Sequence, residues 1–267
     1  MEQKEALIVL DKVELSYGKT KNEVVALKDV NLSIEKGEFV CLLGPSGCGK
    51  STLLKILAGF LKPAKGTAKM AGEDIIGPDW KRGVMFQDST LYPWLNVREN
   101  VAFGPKVRGI GTAERDKICE HFLEQVQLKG FGDKKIFELS GGMKQRCALA
   151  RVLANSPEVI LMDEPFGALD ALTRENMQQL IRNIWKENGN TVFLITHDID
   201  EALSLGSRVL VMSKRPGTIV KDITVDFTNR IYGQERREAD KVKYTEEYFT
   251  VREEILSIIN EQHEVTY

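Results

Sequence analysis

Apolar residues near the start of the chain come in short alternating runs. Leu7-Ile8-Val9-Leu10 and Val13-Glu14-Leu15 are β-prone, and Val30-Asn31-Leu32-Ser33-Ile34 alternates apolar with polar. A turn at Glu35-Lys36-Gly37-Glu38 leads into Phe39-Val40-Cys41-Leu42-Leu43, a continuous apolar run of the kind expected for a strand buried on both faces. A glycine-rich turn from Gly44 to Gly49 then gives way to helical composition at 51–58. Strand, glycine turn and helix in that order form the first half of a βαβ unit. Residues 112–153 read as mostly helical. Val159-Ile160-Leu161-Met162, Thr191-Val192-Phe193-Leu194-Ile195 and Arg208-Val209-Leu210-Val211-Met212 predict further buried strands, with a helix over 171–188 and a short one near 200–205. Strands alternating with helices predict a parallel α/β sheet with a helical insert between its halves. Tyr248, Val251, Ile255 and Ile258 recur at helical spacing and predict an amphipathic helix that packs on its own domain.

Composition narrows the class. The chain has 267 residues with 37 basic and 39 acidic side chains, a formal charge of −2, which is no general nucleic-acid field. At 42% hydrophobic and 28% charged it is ordinary folded composition. The longest uncharged apolar-rich run, 39–49, is far short of the ~18 residues a spanning helix needs. The opening MEQKEALIVLDK lacks the basic start and long apolar stretch of a signal peptide. A cytosolic chain is expected, with any membrane role carried by a partner. Cys41, Cys48, Cys119 and Cys147 form no CxxC pair, so reduced, packed thiols are expected. Three histidines, His121, His197 and His263, give little material for a histidine metal centre.

The strongest local signal is Gly44-Pro45-Ser46-Gly47-Cys48-Gly49-Lys50-Ser51-Thr52, which matches GxxxxGK[ST]. Glycines let the backbone wrap so that successive N–H groups face phosphate oxygens, and the following helix adds its positive end. Lys50 supplies a mobile cation for the β- and γ-phosphates, and Ser51 a hydroxyl for Mg²⁺. A second element is Met162-Asp163-Glu164 at the end of a buried strand. A carboxylate delivered there suits Mg²⁺ through water, and Glu164 is placed to polarise the attacking water.

Further residues narrow the class again. Leu139-Ser140-Gly141-Gly142-Met143-Lys144-Gln145-Arg146 resembles the LSGGQ signature of ABC-type ATPases, with Met143 where the commonest form has Gln. Gln87 in Val84-Met85-Phe86-Gln87-Asp88 is similar to the family's Q-loop. Gly167-Ala168-Leu169-Asp170 is similar to the D-loop, and His197 in Leu194-Ile195-Thr196-His197-Asp198 to the switch histidine. Tyr17 sits where the family has an adenine-stacking aromatic. The resemblance covers roughly 7–225.

The resemblance implies a P-loop NTPase (RecA-like) parallel core with an antiparallel β subdomain and an α-helical insert. The expected division is a nucleotide-binding core at 1–90 and 156–227, a helical subdomain at 91–155 and a C-terminal helical extension at 228–267. It also implies ATP and Mg²⁺ as cofactors. Tyr17 would stack adenine, and residues 44–52 would hold phosphate. Ser51, Gln87 and, through water, Asp163 would serve the metal. Glu164 would act as general base, His197 would contact the γ-phosphate, and Asp170 would communicate across a dimer. Ser140, Gly141 and Gly142 would cap the nucleotide of a second copy packed head-to-tail, so that ATP closes the dimer and hydrolysis opens it.

Two classes remain: the ATPase subunit of a membrane importer, and a soluble ABC machine of DNA repair or translation. Only the segment 88–138 separates Gln87 from Leu139, too short for the long coiled coils of repair members. A single motif set and the absence of a fused membrane domain point to a stand-alone subunit that is peripheral on the cytoplasmic side of the membrane. Its partners would be an integral-membrane permease, an identical or paired ATPase and, indirectly, an extracytoplasmic solute-binding protein, with no nucleic acid. Residues 91–104, Leu-Tyr-Pro-Trp-Leu-Asn-Val-Arg-Glu-Asn-Val-Ala-Phe-Gly, resemble the nitrate/sulfonate/taurine/bicarbonate importer branch, with Trp94 helping to receive the permease. Expected solutes are sulfonates, taurine, nitrate, bicarbonate or a vitamin precursor. A polyamine, metal or phospholipid system is the alternative.

Overall fold

The computed structural model describes residues 6–18, 23–234 and 236–264. Residues 1–5 and 19–22 of the expected core, and 235 and 265–267 of the expected extension, lie outside the described residues, as does the His263 side chain. The chain forms two compact units, Met1–Pro78 with Thr191–Tyr267, and Asp79–Asn190.

In the first unit, the β-prone runs near the N-terminus join into one strand, β1 (Ala6–Tyr17), which pairs antiparallel with β2 (Val24–Glu35). They stay one strand because Lys12 absorbs the irregularity. Its φ is 48, its N–H donates to Asn31 Oδ1 at 2.8 Å, and the register shifts between Leu10 and Val13. β3 (Phe39–Leu43) follows with every residue buried. After the glycine turn, α1 (Lys50–Leu57) sinks Leu53, Leu54, Ile56 and Leu57 into the core, each stabilising the fold by about 1.5–3 kcal/mol. β4 (Lys65–Met70) and β5 (Glu73–Asp74) complete an antiparallel sheet of order β2-β1-β4-β5, the expected antiparallel β layer.

The second unit opens with β6 (Arg82–Met85) and continues through α2 (Val97–Val107), α3 (Thr112–Gln125) and α4 (Gly141–Leu153) to β7 (Val159–Asp163), which pairs parallel with β6. α5 (Ala171–Asn188) closes it, ended by Gly189 in the left-handed conformation. The mostly helical reading of 112–153 holds through α3 and α4, with a break between them. Between Gln125 and Gly141 the chain leaves the α-helix at Gln127, φ 59, turns at Gly130, φ 83, and makes only a short 3-10 turn at Ile136–Glu138.

Back in the first unit, β8 (Thr191–Ile195) and β9 (Arg208–Met212) flank β3 in parallel, joined by α6 (Ile199–Leu205). β10 (Ile219–Thr224) pairs antiparallel with β9, where the Arg208 guanidinium forks onto Asp222 at 2.8 and 2.7 Å. The extension consists of α7 (Phe227–Ile231), α8 (Arg236–Val242) and α9 (Glu246–Glu264). α9 turns Tyr248 and Ile255 fully inward. Tyr248 packs its ring edge-on to Phe227 at 5.0 Å and donates its hydroxyl to Asp200 Oδ1 at 3.0 Å, so the helix docks on its own unit through α6.

Candidate functional site

The first unit carries the phosphate loop, Tyr17 and His197. β3 runs directly into the loop, where Gly44, Gly47 and Gly49 have φ of 154, 74 and 114. A Cβ on Gly49 would lie 2.8 Å from Leu27 Cδ2 and 2.9 Å from the Ala26 carbonyl oxygen, and one on Gly44 would lie 2.9 Å from the Met212 carbonyl oxygen. Both the backbone angle and the strands behind the loop therefore demand glycine. Gly49 caps α1 without a side-chain hydrogen bond, which leaves the first N–H groups of the helix toward the loop.

Lys50 is buried, and its ammonium donates to the carbonyls of Gly44 at 2.7 Å and Pro45 at 2.9 Å. A buried cation inside a loop of backbone amides is a receptor for a polyphosphate, whose oxygens can replace those carbonyls as acceptors. Ser46 and Ser51 are exposed, while Pro45 and Cys48 are buried. Burial raises the Cys48 thiol above its ordinary range, which keeps it protonated and out of the chemistry.

Tyr17 ends β1 half-exposed, with its hydroxyl 3.2 Å from Thr52 Oγ1. The structure thus brings the aromatic ring to the helix that follows the loop. His197 is exposed just beyond β8, and the Thr196 N–H donates to the Leu42 carbonyl at 3.2 Å. It leaves the C-terminal edge of the same parallel strands that deliver the loop, which is where α/β sheets bind ligands. Arg215, unmarked in the sequence reading, donates through Nε at 3.2 Å and Nη2 at 2.9 Å to the Gly47 carbonyl. The Pro216-Gly217 turn signal was present, but only the adjacency of β9 to β3 places that turn behind the loop.

The second unit carries Gln87, Ser140, Gly141, Gly142, Asp163, Glu164 and Asp170. Asp163 ends β7 half-buried, and Glu164 follows at φ 47, a left-handed angle that is strained for a side-chain-bearing residue. A Cβ on Gly167 would lie 3.5 Å from Gln87 Nε2, so the Gln87 amide approaches the turn that the Gly167 N–H closes onto the Glu164 carbonyl at 3.3 Å. Asp170 caps α5 by accepting from the Thr173 N–H at 3.0 Å, and that bond holds its carboxyl below the usual range. Ser140 caps α4 by accepting from the Met143 N–H at 3.3 Å. Gly142 packs so close to α5 that a Cβ would meet Thr173 Cγ2 at 2.5 Å. Gly141 is exposed, with no atom of the described residues within 4 Å of a Cβ.

The residues present fit a magnesium nucleotide. The first unit by itself offers a buried ammonium, a glycine-dependent amide cradle and a hydroxyl for the phosphates, and the carboxylate oxygens of Asp163 and Glu164 in the second unit are donors of the hard kind Mg²⁺ prefers. Fold and residues together define a P-loop nucleotide-binding protein. The model of the family described as ABC transporter matches residues 27–167, and the chain belongs to that family.

Among its relatives, the taurine import ATP-binding protein of Roseobacter denitrificans is 51% identical over 243 residues, 91% of this chain and 90% of that one. The protein of the same name from Pelagibacter ubique is 48% identical over 94% of each chain. An ATP-binding cassette solved as a dimer in a post-hydrolysis state with ADP and Pi is similar with a TM-score of 0.73 and 35% identity, covering 82% of this chain and 99% of that one. The chain is accordingly an ATPase of the ABC class. No helix among the described residues is long and apolar enough to cross a membrane.

Proposed function

We propose that this chain is the ATP-hydrolysing subunit of an importer for taurine or a related sulfonate. The observation that carries this reading is the 51% identity, across 91% of the chain, to a protein named for taurine import. The buried Lys50 in its glycine loop supports the nucleotide chemistry.

In this reading Tyr17 stacks adenine, the amides of 44–52 hold the phosphates, and Lys50 exchanges the Gly44 and Pro45 carbonyls for β- and γ-phosphate oxygens. Ser51, Gln87 and, through water, Asp163 would hold Mg²⁺, which would supply neutralisation of phosphate charge. Glu164 accepts a proton from the attacking water, and Gln87 and His197 orient the reacting end. Ser140, Gly141 and Gly142 serve the nucleotide of the other copy, and Asp170 links the two copies. The core is 1–90 with 156–227, the helical subdomain 91–155 and the extension 228–267. The dimer sits against a membrane permease on the cytoplasmic side, with an extracytoplasmic binding protein selecting the solute and no nucleic acid involved. No residue of this chain touches the solute.

The test is uptake by vesicles holding the chain with its own permease and binding protein. ATP-driven accumulation of taurine, outcompeted by other sulfonates and not by nitrate, is the expected result. Accumulation of nitrate or a polyamine with no taurine uptake would overturn the substrate assignment.

A further inference from the structure

α4 does more than present Ser140 at its tip. Gln145, only 4% exposed, donates from Nε2 to the Gln87 carbonyl at 2.8 Å. The orientation of that amide is fixed, because its oxygen facing a carbonyl would be repulsive. Gln145 Oε1 is buried with no hydrogen-bond partner among the described residues, so the side chain leaves that acceptor unsatisfied while its Nε2 keeps this contact. Less than two turns further along, Arg151 donates from Nη1 to the Thr90 carbonyl at 2.9 Å, and from Nη2 to Thr90 Oγ1 at 3.2 Å and the Ser89 carbonyl at 3.4 Å. Its guanidinium also lies over the Tyr92 ring at 5.2 Å. The gripped segment is strained, since Thr90 has φ 44.

We propose that Gln145 and Arg151 form a two-point clamp by which α4 holds the loop 87–90 in one conformation, making them positioning residues for Gln87. The inference rests on the role of Gln87 given above and deepens it. A loop carrying a metal- and water-sensing side chain cannot shift without breaking bonds to the helix that Ser140 caps. The Q-loop of one nucleotide and the signature offered to the other therefore move as one body.

The experiment compares Gln145→Met, Gln145→Glu, Arg151→Met and Arg151→Lys with the parent, measuring ATP affinity, steady-state ATPase and amide hydrogen exchange of the full chain. Gln145→Glu keeps the size, loses the donor and sets a carboxylate against the carbonyl, whereas Arg151→Lys keeps a charged donor. Expected are ATP affinities within about twofold of the parent, a kcat lower by about ten- to hundredfold in both Met variants and in Gln145→Glu, and partial recovery in Arg151→Lys. Exchange at 87–90 should accelerate while that of α4 stays protected. A parental kcat in both Met variants, or a lowered kcat with unchanged exchange at 87–90, overturns the clamp. Gln87→Ala runs beside them. If it turns over at the parental rate, the role of Gln87 has failed, and the exchange data still decide separately whether the clamp exists.

Discussion

Replacing Gly49 by alanine tests whether the phosphate loop is shaped by the strands behind it. At φ 114 an alanine backbone is strained by about 1–3 kcal/mol. The added Cβ would sit 2.9 Å from the Ala26 carbonyl oxygen, a backbone atom held in β2, and 2.8 Å from Leu27 Cδ2, which is fully buried. Neither can yield freely, so overpacking adds about 1–3 kcal/mol. The sum, about 2–6 kcal/mol, corresponds to a melting temperature lower by about 5–20 °C in a chain of this size. Gly47→Ala is the internal control in the same loop. Its φ is 74 and its Cβ meets only the flexible Arg215 Nη2 at 3.4 Å, so about 1–2 kcal/mol is expected from the backbone alone. Thermal unfolding with and without ATP measures both. Equal losses in the two variants, or a Gly49→Ala protein as stable as the parent, would refute the reasoning.

Other substitutions probe the rest of the machinery. Glu164→Gln should retain ATP binding and lower turnover by about 10²–10⁴-fold, the contribution of a positioned general base, and accumulate an ATP-bound dimer by light scattering. Gly141→Ala should leave the isolated chain as stable or more stable by up to about 1 kcal/mol, because the site is open and begins a helix, yet reduce ATPase activity by crowding the partner's phosphate; unfolding and turnover should therefore move in opposite directions. Tyr17→Phe should keep the KM for ATP within about threefold while Tyr17→Ala raises it by about tenfold, as loss of stacking and not of the hydroxyl would do.

What could be read from the sequence was what local chemistry fixes. β3, β8 and β9 begin and end where their apolar runs placed them, because strands buried on both faces leave little room for polar positions beyond their first residue, and α5 runs from its Asp170 cap to Gly189 as its helical composition placed it. α2 escaped notice although Asn96 and Glu99 form a capping box at its start, since Pro105 and the buried Asn100 break its apolar periodicity. Asn100 is tolerated there because it bonds to the Tyr92 backbone on both sides, accepting from its N–H at 2.8 Å and donating to its carbonyl at 3.1 Å. β6 was invisible because its Gly83 makes room for Val152, whose Cγ1 a Cβ would meet at 2.4 Å, and that contact is tertiary. The same division holds for the site. The glycine loop announces itself by spacing. The Arg215 brace and the grip of Gln145 and Arg151 on loop 87–90 depend on which elements come to lie side by side.

In the proposed dimer, each ATP is held by the glycine loop of one copy and the Ser140 turn of another. The most direct measurement mixes a Ser140→Arg chain with a Lys50→Ala chain, each inactive alone, and follows phosphate release. Mixed dimers each retain one intact composite site, so activity should return on mixing and peak near equal proportions. Phosphate release that stays at the level of the separate mutants at every ratio, with mixed dimers shown to form, would contradict it.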